Sequence, residues 1–263
     1  MALSATYNAD LSRVQLAATA LGVSATYAVF DRTLDSIRYE TVRGGSEKPV
    51  VAQVADLDDY EFPVDVAVTY RVRSYNASDV LQATFTTAIT QPLDVVWLKA
   101  PARPFLNRSV TVTAVGEVTR AARNGIFPIV GRSFPVGVAD LRQSRQFSIE
   151  VMTDTDGEEA ALDYLLMSGE TVLLQVPDGF PVPSLYAVIG DATIVEPARG
   201  DPTKLFTLPL TEVAPPGPDV VPTTYTIQSM LNEYATITAV IADNATIIDL
   251  MERVANASEV VVP

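Results

Sequence analysis

VAVTYRVRSYN occupies residues 66–76, and its side chains alternate in character from one end to the other. In an extended chain Val68, Tyr70, Val72 and Ser74 share one face, while Thr69, Arg71 and Arg73 share the other. Period-two alternation built from Val, Thr and Tyr predicts a strand with one buried side. Segments of similar make-up lie on both sides, at 14–21, 25–32, 37–43, 50–57 and 80–89, separated by turn signals such as Gly22, Gly44-Gly45-Ser46 and Asn76-Ala77-Ser78. Short strands at regular spacing with no helical pattern between them predict a β-sandwich over residues 1–92.

The run DLDDYEFPVDVAVTYRVRSYN followed by VLQATFTT resembles the last two strands of a fibronectin type III module. Those modules carry a buried tryptophan in an early strand, whereas Trp97, the single tryptophan here, lies beyond the last one. The expectation is therefore an immunoglobulin- or fibronectin-III-like sandwich of open subtype.

PLDVVWLKAPARPFLNRSV follows, with prolines at 92, 101 and 104 and too much apolar content for a free tether. Residues 93–108 read as a packed connector, with Trp97, Leu98 and Phe105 wedged between domains. A second β-rich region spans 109–213, with candidate strands at 110–118, 134–138, 146–153, 171–176, 186–195 and 205–213. One helix is predicted over 156–168. Thr155 or Asp156 can cap it, Glu158 and Glu159 suit its N-terminal dipole, and Ala161, Leu162, Leu165 and Leu166 form its apolar stripe before Gly169.

APPGPDVVP then packs four prolines into nine residues, which marks 214–223 as a linker. Beyond it, TIQSMLNEYA TITAVIADNA TIIDLMERVA (226–255) repeats one ten-residue unit three times within a segment 224–257. Its apolar places are Ile227, Met230, Leu231 and Tyr234, then Ile237, Val240 and Ile241, then Ile247, Leu250, Met251 and Val254, the i, i+3, i+4, i+7 pattern of a helix face. A straight helix would rotate that stripe by about 80° per unit. Three short helices restarted at the capping residues Thr226, Thr236 and Thr246 fit the repeat; one continuous oligomerising helix is the alternative. Either form needs a partner to be stable, so these apolar residues are candidate docking positions.

The chain has 263 residues, 48% of them hydrophobic, and no cysteine or histidine. Disulfides, thiolate nucleophiles, Cys/His zinc sites and an imidazole base are thereby excluded. No stretch of about 18 apolar residues occurs, and MALSATYNADLSRVQL is polar and strand-like, so a soluble chain without a secretory signal or membrane insertion is expected.

The net charge of −14 is uneven: residues 1–146 carry 15 Lys+Arg against 14 Asp+Glu, residues 147–263 carry 3 against 18. Lys99 to Arg145 alone holds 8 basic residues against Glu117 and Asp140. A basic belt before an acidic end suits head-to-tail pairing of unlike patches as well as simple solubility. Nucleic acid is disfavoured, because its phosphates would meet an acidic field.

Motifs with chemistry are few. DTDGEE (154–159) lacks the ligand spacing of a calcium loop and reads as a helix cap. DLDDYE (56–61) reads as a turn, with a weak cation site as its alternative. Asn76, Asn107, Asn244 and Asn256 open Asn-x-Ser/Thr triplets that read as turn and cap residues, and the glycines of GG (44–45) and VGRSFPVG (130–137) as turns. No catalytic residue, cofactor site or metal site is assigned, and the chain is expected not to be an enzyme; a cell-wall hydrolase is the weakest alternative.

Taken in order, VWLKAPARPFLNRSVTV, GRSFPVGVADLRQSRQFSIEVMTDTDGEEAALDYLLMSGETVLLQVP, KLFTLPLTEVAPP and the closing Thr-led decapeptides resemble minor tail proteins of long-tailed bacteriophages infecting actinobacteria, over residues 93–255. The resemblance implies a distal-tail or tube-type β-domain at 109–213 and a structural role at the tail tip of the virion, assembled in the host cytoplasm. It also implies homo-oligomerisation, as a trimer or hexamer, and contact with other tail proteins. Where that family often has Trp or Tyr after the repeat threonine, this chain has Ile227, Ile237 and Ile247. The rival expectation is a host-glycan-binding module in which exposed Tyr27, Tyr39, Tyr60 and Tyr75 stack on sugars.

Overall fold

The computed structural model describes residues 2–131, 133–138, 140–197 and 200–216. The decapeptide repeats, with Thr226, Thr236, Thr246 and every apolar position named for them, lie outside the described residues. The described chain is mainly β.

The alternation of residues 66–76 becomes β7 in the first set of strands: β1 (Leu3–Asn8), β2 (Arg13–Ala18), β3 (Tyr27–Thr33), β4 (Glu40–Thr41), β5 (Lys48–Pro49), β6 (Ala55–Asp59), β7 (Ala67–Tyr75) and β8 (Leu81–Thr90). They form two sheets, β1-β2-β6 and β4-β3-β7-β8, with β5 also on β3. Leu3, Val14, Leu16 and Leu57 from the first sheet and Ala28, Phe30, Val68, Tyr70 and Val72 from the second belong to one buried cluster. Burial of these faces selects the register, since a one-residue slip would turn Arg71 and Arg73 inward.

Local polar chemistry trims several expected strands. The segment 37–43 keeps only β4, because Asp35 Oδ1 accepts from the N–H groups of Ile37 and Arg38, both at 2.8 Å, and turns the chain. The segment 50–57 starts late: Val51 pairs with Val54 around Ala52 and Gln53, both at positive φ, a two-residue turn whose twist suits a hairpin. DLDDYE is strand rather than turn through Asp59. Gly45 is required by space, since a Cβ there would sit 2.9 Å from Leu57 Cδ2 and from the Val42 carbonyl.

The second set comprises β9 (Val96–Lys99), β10 (Arg108–Val115), β11 (Gly125–Phe127), β12 (Val136–Val138), β13 (Gln146–Thr153), α1 (Asp156–Met167), β14 (Val172–Gln175), β15 (Leu185–Ile189), β16 (Thr193–Val195) and β17 (Lys204–Glu212). Six of these strands pair in the order β13-β10-β9-β14-β15-β17, and β17 pairs back onto β13 over eight residue pairs, closing the sheet on itself. Closure removes the exposed edges of those strands. β16 adds to β17, and Gly190 and its neighbours interrupt what reads in sequence as one strand over 186–195.

Thr155 caps α1, its Oγ1 accepting from the Glu158 N–H at 3.2 Å while Glu158 Oε2 accepts from the Asp154 N–H at 2.8 Å. Leu162 and Leu165 of α1 join Leu98, Ile149, Val151, Leu174, Phe206 and Leu208 in the second buried cluster.

β9 has both its faces covered, which is why VWLK is buried at every position despite its lysine. Lys99 Nζ donates to the Ser12 and Tyr60 carbonyls and lies 4.8 Å from the Phe62 ring centre. Beside it Gln175 Nε2 donates to the Phe62 carbonyl at 2.6 Å. Burial pulls the Lys99 ammonium down to about 7, against the pull of Asp59 and Glu61. Between that value and the ordinary lysine range, the unfolded chain binds a proton that the folded one has released, so stability rises with pH across this window. Unfolding by urea should therefore show a gain of about 3 kcal/mol from pH 7 to pH 10, and Lys99→Met should lack it. An identical pH profile for that variant would refute the assignment.

Candidate assembly surface

β10 and β13 do not end where the closed sheet ends. Gly116 N–H donates to the Ser148 carbonyl at 2.7 Å, and a side chain at 116 would meet Ser148 Oγ, which would have to rotate away. Thr119 and Gln146 then exchange backbone hydrogen bonds at 2.8 and 2.9 Å, and Gln143 N–H reaches the Ala121 carbonyl at 2.9 Å. Farther out β11 and β12 pair through Gly125↔Val138, Ile126↔Gly137 and Phe127↔Val136. The described residues of 116–145 thus form an antiparallel arm whose outer part makes a two-stranded sheet of its own.

The arm's composition is wrong for a solvated ribbon. Val118, Ile126, Phe127, Ile129, Val130, Phe134, Val136, Val138 and Leu141 are all exposed, with Val130 at 103%, Phe134 at 83% and Leu141 at 84%. These nine are the densest run of exposed large apolar side chains among the described residues. A lone two-stranded ribbon is marginal in water, and an apolar patch of this kind marks a contact surface. Both outer edges of β11 and β12 are open to pairing among the described residues.

Charge separates the arm from the rest of the chain. It carries five arginines against Glu117 and Asp140, or +3, so the rest of the chain carries −17 and the two sum to −14. At its base Arg145 Nε lies 3.6 Å and Arg120 Nη2 3.9 Å from Glu212 Oε2, and Arg145 N–H donates to the same oxygen at 3.0 Å. Glu212 thereby ties the arm's root to β17.

The sequence marks this region only in part: the basic belt covers it and 134–138 reads as a strand. Its apolar content escapes a period-two search because prolines at 128 and 135 and glycines at 125, 131 and 137 break the alternation.

Other predicted positions are placed as follows. Trp97 and Leu98 stand side by side on β9 and face opposite ways, Trp97 into the first buried cluster and Leu98 into the second. Phe105, in a 3₁₀ turn (Pro104–Leu106), is partly buried against the second cluster. Tyr27, Tyr39 and Tyr75 are half-buried around β3 and β7, whereas Tyr60 lies apart, its hydroxyl accepting from Arg13 Nη1 at 3.1 Å. Asn76 is a turn residue, its Oδ1 accepting from the N–H groups of Ser78 and Val80. Asn107 Oδ1 accepts from the Ala100 N–H at 3.0 Å. Among the described residues no three Asp or Glu side chains converge as a metal site, and no helix is long and apolar enough to cross a membrane.

No family model matches the sequence, and no curated protein does. Among solved structures the chain is similar to the SPP1 Dit (gp 19.1) protein, described as a paradigm of hub adsorption apparatus in phages infecting Gram-positive hosts, with 16% identity and a TM-score of 0.35. The match covers 46% of this chain and 51% of that one, so the chain spans about half that protein's length. What the SPP1 protein assembles into is a property of that protein.

Proposed function

We propose that this chain is a structural component of a bacteriophage tail tip, of the minor tail protein kind, that assembles with copies of itself into a ring or hub joining tail tube to host-facing parts. The arm at 116–145 carries this reading: an apolar, basic ribbon on an otherwise acidic chain has its complement on a second copy. Head-to-tail docking of each arm on the next subunit makes a ring where the rotation between copies closes, which suits a trimer or hexamer. The order of segments over 93–255 supports the tail assignment, with actinobacterial hosts, a tube-type domain at 109–213 and an immunoglobulin- or fibronectin-III-like sandwich at 1–92.

Within this reading Trp97, Leu98 and Phe105 hold the 93–108 connector against both cores. The linker at 214–223 presents the repeats at 224–257, and Ile227, Met230, Leu231, Tyr234, Ile237, Val240, Ile241, Ile247, Leu250, Met251 and Val254 dock on a neighbouring subunit or another tail protein. A second reading, recognition of host surface carbohydrate, is favoured by the gathering of Tyr27, Tyr39 and Tyr75 on one sheet.

Charge pairing makes self-association salt-dependent, because screening shortens the reach of exposed charges to about 3 Å in molar salt. Sedimentation at low and molar salt should show association weakened several-fold but retained, the residue being apolar contact. Association equally strong at both would refute the charge-paired geometry. Antibody against the chain should label the tail tips of virions that contain it; label on the capsid or nowhere would refute the tail assignment.

A further inference from the structure

The outward side of β7 holds a second feature that assembly through the arm leaves unused. Asp31 on β3 stands opposite Arg71 on β7, and Arg73 is two residues farther along the same face. The Asp31 carboxylate is almost wholly buried, and its Oδ2 accepts from Arg71 Nη2 at 2.8 Å and Nε at 3.2 Å, and from Arg73 Nη2 at 2.9 Å and Nε at 3.1 Å. Thr41 Oγ1 donates to its other oxygen at 3.3 Å. One carboxylate thus holds two guanidinium groups by the same edge, which leaves a surplus positive charge and turns both Nη1 groups away from it. Among the described residues neither Nη1 has a hydrogen-bond partner, and the side chains are 23% and 33% exposed.

Aromatic rings fix these arginines. Arg71 Cζ lies 3.5 Å from the centre of the Tyr39 ring, a stacked contact, and Arg73 Cζ lies 6.0 Å from that of Tyr75. Tyr75 stacks on Tyr27 at 5.3 Å and 17°, and Tyr27 OH donates to Asp79 Oδ1 at 2.8 Å. On the neighbouring strand the exposed residues Thr84 and Thr86 lie opposite Arg73 and Arg71. The result is a platform of rings, hydroxyls and two pre-set guanidinium groups that converge on one carboxylate oxygen from Cα positions about 7 Å apart along one strand.

Neutralising Asp31 needs one arginine; the second, held in place on the surface of a chain with net charge −14, is explained by an anionic ligand. We propose that the β3–β7–β8 face binds an acidic oligosaccharide, its carboxylate or phosphate taken by Arg71 and Arg73 and its sugar rings lying against Tyr39, Tyr75 and the Thr84–Thr86 row. Guanidinium forks match the planar acceptor pair of such groups, and aromatic faces with hydroxyls beside them suit sugar rings. Aromatic rings beside the guanidinium groups favour a saccharide over an acidic peptide, which would call on the charge alone. The proposal deepens the carbohydrate reading and is independent of the arm, so its failure leaves the sedimentation behaviour untouched.

Titration calorimetry on the full chain decides it, with oligogalacturonate as the carboxylate probe, phosphorylated oligomannose as the phosphate probe, neutral maltohexaose and a polyglutamate peptide. One or both acidic sugars should bind, the stronger identifying the acid, while maltohexaose and polyglutamate bind at least tenfold more weakly. Thr84→Glu with Thr86→Glu, on exposed positions that leave the Asp31 cluster intact, should weaken binding tenfold or more with an unchanged melting temperature. Arg71→Lys with Arg73→Lys, which keeps charge but loses the forks, should weaken it several-fold. The proposal is overturned if neither acidic sugar binds, if polyglutamate or maltohexaose binds as tightly, or if the Thr84/Thr86 variant binds as the parent does.

Discussion

Replacing Asp59 with alanine is expected to cost about 3–5 kcal/mol of stability, the largest single-residue effect outside the apolar cores. Both oxygens of this carboxylate are committed: Oδ2 accepts from Arg32 Nη1 and from the Tyr70 hydroxyl, each at 2.8 Å, and Oδ1 accepts from Arg32 Nη1 at 3.0 Å and the Glu61 N–H at 2.9 Å. Burial works against the Arg32 charge, but Asp59 overcompensates and raises its pKa; burial and Asp59 together raise that of Tyr70. Alanine would leave a buried guanidinium without its counter-charge and a buried phenol without its acceptor. A loss of that size is a large part of the about 5–15 kcal/mol that holds a domain folded. Asp58→Ala one position earlier is the control: its pair with Arg13 is 34% exposed on the acid side, and about 0–1 kcal/mol is expected. Urea midpoints measure both, and a cost below 1 kcal/mol for Asp59→Ala would contradict the network.

The second large effect is on association and should leave folding alone. Val130→Asp combined with Phe134→Asp changes two side chains that touch little in the isolated chain, so the melting temperature should shift by no more than about 0.5 kcal/mol of stability would produce. If the arm docks on a neighbour, each lost apolar side chain removes about 1.5–3 kcal/mol of burial per contact. The dissociation constant should then rise by about 100-fold or more. Unchanged association would place the interface elsewhere; a chain that no longer folds would mean that the arm belongs to its own core.

β7 was legible because its surroundings are asymmetric: it has a core on one side and water on the other, so polarity alternates. α1 was legible for a similar reason, its cap and acidic first turn being local chemistry. β9 was not, since a strand covered on both faces loses alternation, and prolines at 92, 101 and 104 break the pattern around VWLK. Nor was the pairing of β13 with β17, which joins residues some sixty positions apart and has no local signature. DLDDYE illustrates the limit at a polar site: the residue types suggested a turn or a cation site, while the partners that give Asp59 its role, Arg32 and Tyr70, lie on two other strands. The same holds for the platform, where the tyrosines were visible one by one but the Asp31 clamp that orders Arg71 and Arg73 exists only across a strand pair.

Assembly through the arm is the centre of the account, and sedimentation velocity tests it most directly. The full chain is compared over a wide concentration range with a variant in which a short glycine-serine turn replaces residues 122–142, the bridge between Ala121 and Gln143 being already closed by a backbone hydrogen bond. The full chain should sediment as a discrete oligomer whose mass stops growing once formed, and the shortened chain as a folded monomer. A full chain that stays monomeric at every concentration, or a shortened chain that assembles as well as the parent, would contradict it.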